Sequence, residues 1–85
     1  MQFVVQPSKR FRKDVRRLER SHRYDLRKLE DVIVLLQSGE NLPAHCRNHK
    51  LHGEYEGFEE CHIQPDWLLI YKREHDRLIL VLTRT

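Results

Sequence analysis

With 85 residues, 39% hydrophobic and 34% charged, the chain is large enough for one domain with a modest core and too small for two. It has no apolar run near the ~20 residues that cross a bilayer, and Met1-Gln2-Phe3-Val4-Val5 lacks the basic segment and long apolar stretch of a secretory leader, so a cytoplasmic protein without a membrane partner is expected. Its net charge of +3 is unevenly placed: residues 1–28 hold ten Lys/Arg against three Asp/Glu, and residues 29–85 hold six against ten.

Residues 2–6, Gln-Phe-Val-Val-Gln, have the β-branched and aromatic content of a strand, which Pro7 is expected to interrupt. Ser8 stands at an N-cap position, and Phe11, Val15 and Leu18 follow at helical spacing, predicting a helix to about Arg20 whose other faces are filled with Arg and Lys. That basic segment is either a polyanion-facing surface, suited to nucleic acid or ribosome, or a solvated helix face. After a break at Ser21-His22, the stripe Leu26, Leu29, Val32, Ile33 and Leu36 predicts a second helix ending at Ser38-Gly39, and the short connection predicts a helical hairpin. Glu40 to Gly53 contains Pro43 and no clean period and reads as a loop with at most a helical turn. Strand-like segments then cover 57–63, 67–73 and 77–83, separated by Gln64-Pro65-Asp66 and Glu74-His75-Asp76. The last two are almost continuously apolar, as befits the covered centre of a sheet. The order β-α-α-β-β-β predicts a single α+β domain over residues 1–85, with the helical hairpin packed on a twisted, mainly antiparallel sheet.

Alternation along the first of these three strands sends Phe58, Glu60 and His62 to one face and Glu59, Cys61 and Ile63 to the other. With Gln64-Pro65 as the hairpin loop, Ile63 would pair with Asp66 and His62 would lie opposite Trp67. The six histidines invite two readings. His45-Cys46, His49, His52 and Cys61-His62 have the ligand types of a zinc site, but each cysteine adjoins a histidine, a spacing that fits one tetrahedral ion poorly; no metal is expected, and the cysteines read as free thiols. The other reading is proton transfer. RNA can be cleaved without metal when a base takes the 2′-hydroxyl proton, an acid protonates the departing 5′-oxygen and cations stabilise the phosphate. Histidine serves as acid or base near neutral pH, and a neighbouring carboxylate, Asp66 or Glu60, would orient it.

Two segments narrow these readings: Asn48-His49-Lys50-Leu51-His52-Gly53, and Gly57-Phe58-Glu59-Glu60-Cys61-His62-Ile63-Gln64-Pro65-Asp66-Trp67 continuing to Tyr71-Lys72. A histidine before Leu-x-Gly, a Gly-aromatic pair, an acidic residue two before a histidine, Pro-Asp-Trp and an apolar-Tyr-Lys strand together resemble the signature of YafQ-type toxins, a branch of the RelE/ParE-like toxin–antitoxin superfamily. The resemblance implies a ribosome-dependent mRNA endonuclease of RelE-like fold that needs no cofactor and acts on mRNA in the A site of the 70S ribosome. It implies a DinJ/RelB-like antitoxin as partner and contact with operator DNA only through that complex. Carried over by motif position, His49 and His62 become the acid–base candidates and Asp66 their partner. Glu60 and Trp67 become supporting members, Lys50 a phosphate contact and Arg84 a phosphate clamp. Trp67 either stacks on a base or packs in the core; Phe58 and Tyr71 read as structural. Family members continue beyond the Arg-Thr strand end with Gly-x-His and a Leu-Phe close, so a chain ending at Thr85 is expected to lack one catalytic histidine and to be impaired. The rival reading is a non-catalytic RNA- or ribosome-binding module.

Overall fold

The computed structural model describes residues 2–85. The first strand signal forms β1 (Val4–Pro7), followed by α1 (Lys9–Ser21) and α2 (Leu26–Gln37). A 3₁₀ turn at Ala44–Cys46 leads into a two-residue strand β2 (His49–Lys50), and a second at Gly53–Tyr55 precedes β3 (Glu59–Gln64), β4 (Trp67–Glu74) and β5 (Arg77–Arg84). The five strands form one sheet in the order β1-β5-β4-β3-β2, antiparallel except for the β1–β5 pair. The α+β architecture is as expected, with one strand more than the sequence pattern predicts.

Pro7 ends β1 rather than interrupting it, opposite Leu80. Val4 N donates to Asp76 O and Ser8 N to Leu80 O, so alternate residues face β5 and the missing Pro7 N–H falls on the free edge, where it costs no ladder bond. Ser8 caps α1, its Oγ accepting from Phe11 N at 2.9 Å, and His22 closes the helix in the left-handed conformation at φ 56°. Asp25 caps α2 by accepting from Arg27 N at 3.0 Å. Both helices lie on one sheet face, α1 chiefly over β5 and α2 toward β3. Phe11 and Leu18 from α1 and Leu29, Val32 and Leu36 from α2 meet Trp67, Leu69, Tyr71, Leu78 and Leu80 in one core. Cys46 and Cys61 are free and buried in the same core. Burial foremost, then the neighbouring Cys46, Glu60 and Glu59, pushes the Cys61 thiol up to about 12, so it is an inert packing group at neutral pH.

Asp14 is buried in α1 although it is charged, and the strand edge explains it. Once β1 has ended, the outer edge of β5 has no partner strand beyond Leu80, and side chains of the next element take over. Ser8 Oγ donates to Val81 O at 2.6 Å, and Asp14 Oδ2 accepts from Thr83 N at 3.3 Å, while Arg17 and Arg10 flank the carboxylate at 3.3 and 3.9 Å. Asp14→Ala leaves a buried N–H unsatisfied and is expected to cost about 1–3 kcal/mol, measured as a shift of the urea midpoint. Asp14→Asn, which keeps an acceptor, is expected to lose less; equal loss in both would show that the bond to Thr83 is not what holds α1 to the sheet.

Candidate active site

The sheet face away from the helices carries the histidines that the sequence pattern singles out. β2 forms because His49 and Lys50 pair with Glu60 and Glu59, with Leu51 N donating to Phe58 O just beyond the ladder. Facing residues of paired strands point the same way, so His49 and Glu60 meet: His49 Nε2 lies 3.3 Å from Glu60 Oε1. The other ring nitrogen, Nδ1, lies 2.8 Å from Arg47 O. A carbonyl oxygen can only accept, so Nδ1 carries a proton; a ring protonated at both nitrogens satisfies both partners, a neutral ring only one.

His62 is held differently. Its Nδ1 lies 3.2 Å from Pro65 O, which again places the proton on Nδ1. Nε2 has no protein partner among the described residues and offers a lone pair to a ligand. The hairpin register differs from the one expected. Pro65-Asp66 is the turn, Gln64 pairs with Trp67, and an irregularity between His62 and Gln64 sets His62 opposite Leu68. Leu68 in turn pairs with Arg84, so His62, Leu68 and Arg84 form one rung across β3, β4 and β5, with His62 and Arg84 Cα atoms about 10 Å apart at ordinary strand spacing. Glu60 and His49 occupy the neighbouring rung. Two histidines with different hydrogen-bonding states and a guanidinium thus share one open surface.

The remaining candidates separate. Asp66 is exposed in the turn and makes no hydrogen bond or ion pair with His62 among the described residues; the Pro65 carbonyl holds that ring instead. Trp67 is fully buried, packs edge-on to Tyr24 at 5.2 Å and donates from Nε1 to Thr83 Oγ1 at 2.9 Å, so it is a core residue with no face free to stack on a base. Lys50 is exposed opposite Glu59 and lines a separate groove with His52 and Phe58. Tyr71 and Phe58 are structural: buried Tyr71 donates to Asn48 Oδ1 at 2.6 Å, and Phe58 lies under Lys72. Sequence reasoning missed Asn48, whose Nδ2 donates to Glu59 Oε1 at 2.9 Å and so ties the residue before His49 to β3. Its adjacency to His49 was the available signal. It also missed Arg47 and weighed His45 only as a metal ligand; the two share a cleft of about 240 Å³ with His62 and Pro65. The histidines and cysteines of the zinc reading do not converge: among the described residues no group of three or more His, Cys, Asp or Glu is placed to hold an ion. Among the described residues, no helix is long and apolar enough to cross a membrane.

Comparison with known proteins bears on this surface. The family model described as bacterial toxin of type II toxin–antitoxin system, YafQ, matches residues 3–85. The mRNA interferase toxin YafQ of Escherichia coli K12 is 36% identical over 73 residues, 85% of this chain and 78% of that protein. Among solved structures, YafQ from E. coli BL21(DE3) superposes with a TM-score of 0.91 at 34% identity, covering 99% of this chain and 93% of its own. An E. coli DinJ–YafQ toxin–antitoxin complex superposes at 0.90 and 34% identity, covering 100% and 93%.

Proposed function

This chain belongs to the YafQ family of toxins of bacterial type II toxin–antitoxin systems, and from that membership we propose that it is an mRNA interferase, an endoribonuclease that cuts mRNA in the A site of the 70S ribosome without metal or other cofactor. The observation that carries the mechanism is the different anchoring of the two histidines on one sheet face. His62, with Nδ1 protonated and held by Pro65 O, uses its free Nε2 to take the 2′-hydroxyl proton. The 2′-oxygen attacks the adjacent phosphorus, the bond from phosphorus to the 5′-oxygen breaks, and a 2′,3′-cyclic phosphate forms. His49, between Arg47 O and Glu60, supplies the proton to the departing 5′-oxygen, and Glu60 holds the ring that gives it up. Arg84, across Leu68 from His62, stabilises the charge on phosphate with its forked donors. Exposed Asp66, next to Pro65 in the turn, is proposed to accept a hydrogen bond from the substrate ribose, and exposed Lys50 to contact a more distant phosphate. A DinJ/RelB-like antitoxin is the proposed protein partner, with operator DNA reached only through that complex, in the cytoplasm.

The basic face of α1 favours a second reading, a non-catalytic ribosome-binding module. Lys9, Arg10, Lys13, Arg16, Arg17 and Arg20 line shallow grooves on that helix, a surface suited to ribosomal RNA backbone whether or not cleavage follows. Primer extension on mRNA translated by purified ribosomes separates the two, using this chain and a form extended by Gly-Thr-His-Ala-Asp-Leu-Phe. Cuts by the 85-residue chain, or by the extended form alone, are the expected results for an interferase. Ribosome binding without cuts by either form would establish the binding module instead.

A further inference from the structure

Arg47 has an unusual position. It closes the 3₁₀ turn Ala44–Cys46 in the left-handed region, at φ 48° and ψ 44°, a conformation uncommon for a non-glycine residue. From that position one residue serves both histidines. Its carbonyl accepts from the His49 ring at 2.8 Å, and the residue lines the 240 Å³ cleft together with His62, Pro65 and His45. Arg47 is exposed, and its guanidinium forms no ion pair among the described residues, so its charge is available to a ligand. The cleft is smaller than the roughly 300–1,000 Å³ that engulfs a whole small molecule. With one flat apolar wall at Pro65 and cationic or proton-donating groups at Arg47 and His45, it suits the sugar and phosphate of one nucleotide in a strand that continues past it. Arg47 lies on the β2 side of His62 and Arg84 on the β5 side. Polyanion contacts therefore flank His62 from both sides, as an RNA strand crossing the sheet face requires.

We propose that Arg47, assisted by His45, forms a subsite for the phosphate of a nucleotide flanking the scissile bond, with the ribose against Pro65, and so sets the direction in which mRNA crosses the face. This rests on the ribonuclease reading given above. Arg47 is a binding residue here, and the reacting atoms stay with His62, His49 and Arg84.

The test measures single-turnover mRNA cleavage on ribosomes, in whichever form of the chain cuts, for the parent, Arg47→Ala, Arg47→Lys and His45→Ala, with thermal unfolding as the control for folding. Arg47→Ala is expected to raise the half-saturating concentration about 10–100-fold, the loss of one charge-assisted contact. It should also lower the salt dependence of binding by about one unit of slope, while the rate at saturation changes less. Arg47→Lys should recover part of the affinity and His45→Ala lose less. Replacing mRNA phosphates one at a time by neutral methylphosphonates should weaken the parent at one flanking position and leave Arg47→Ala unaffected there. A folded Arg47→Ala protein with the parent's half-saturation and salt slope would overturn the subsite. If no form cuts, the ribonuclease reading fails separately. Binding of 2′-O-methyl mRNA on the ribosome then decides the subsite alone: a loss of at least tenfold in Arg47→Ala retains it, and equal binding removes it.

Discussion

His62→Ala will lower mRNA cleavage by about 10²–10⁴-fold, the usual contribution of a positioned acid or base, while leaving the fold and ribosome binding in place. The residue is only half-buried on the open sheet face, and among the described residues its one protein partner is the Pro65 carbonyl, so its removal uncovers no core and strands one backbone acceptor that water can satisfy. His49→Gln should cost a similar factor for a different reason, and the pH–rate profile tells the two apart. A base must be deprotonated to act, so loss of His62 should flatten the acidic limb of the profile. An acid must be protonated, so loss of His49 should flatten the alkaline limb. Glu60→Gln should mimic His49→Gln in weaker form, because in the proposed mechanism Glu60 acts through the His49 ring 3.3 Å away. The measurement is single-turnover cleavage on ribosomes across the pH range, with circular dichroism to confirm folding. A His62→Ala protein that folds and cuts at the parent's rate would remove His62 from the chemistry.

The second large effect is on stability. Trp67→Ala is expected to cost about 3–5 kcal/mol, a large share of the roughly 5–15 kcal/mol that holds a domain together. The indole is fully buried, packs on Tyr24 and ties the start of β4 to the end of β5 through Thr83. Thr83 is itself satisfied through Leu68 O and the Asp14 carboxylate, so the loss reaches the contact that pins α1 to the sheet. Trp67→Phe keeps most of the ring and removes the hydrogen bond, for about 0.5–1.5 kcal/mol. Denaturant unfolding ranks the variants. Cleavage by Trp67→Phe at the parent's rate, measured well below its melting temperature, is the result expected of a core residue; a large loss of activity in a stable Trp67→Phe protein would return the indole to the substrate side.

The dependence of both effects on distant residues shows where sequence reading stops. Elements declared by residues close together in the chain were legible: Ser8 three residues before Phe11, the Leu29–Val32–Leu36 stripe, Gly39 after α2, and the turns between the apolar strands. His49, His62 and Arg84 were legible as candidates, because they stand in a recognisable motif. Residues whose role depends on a partner far along the chain were not. Asp14 meets Thr83 across 69 positions and Ser8 meets Val81 across 73, contacts that no local period encodes. The irregularity between His62 and Gln64 shifted one register, and with period-2 alternation such a shift changes which residue His62 faces. Burial decided Trp67, whose sequence context allowed a base-stacking or a core role equally. β2 is two residues long and exists only because β3 offers an edge. Sequence alone therefore determined the α+β class and the order of the two helices and four of the five strands, and it nominated the histidines as candidates, since caps, turns and hydrophobic periods act over a few residues. Only the tertiary structure decided which carbonyl or carboxylate fixes each histidine and that Arg47 stands between them, because strand register and burial are set by the whole chain closing on itself.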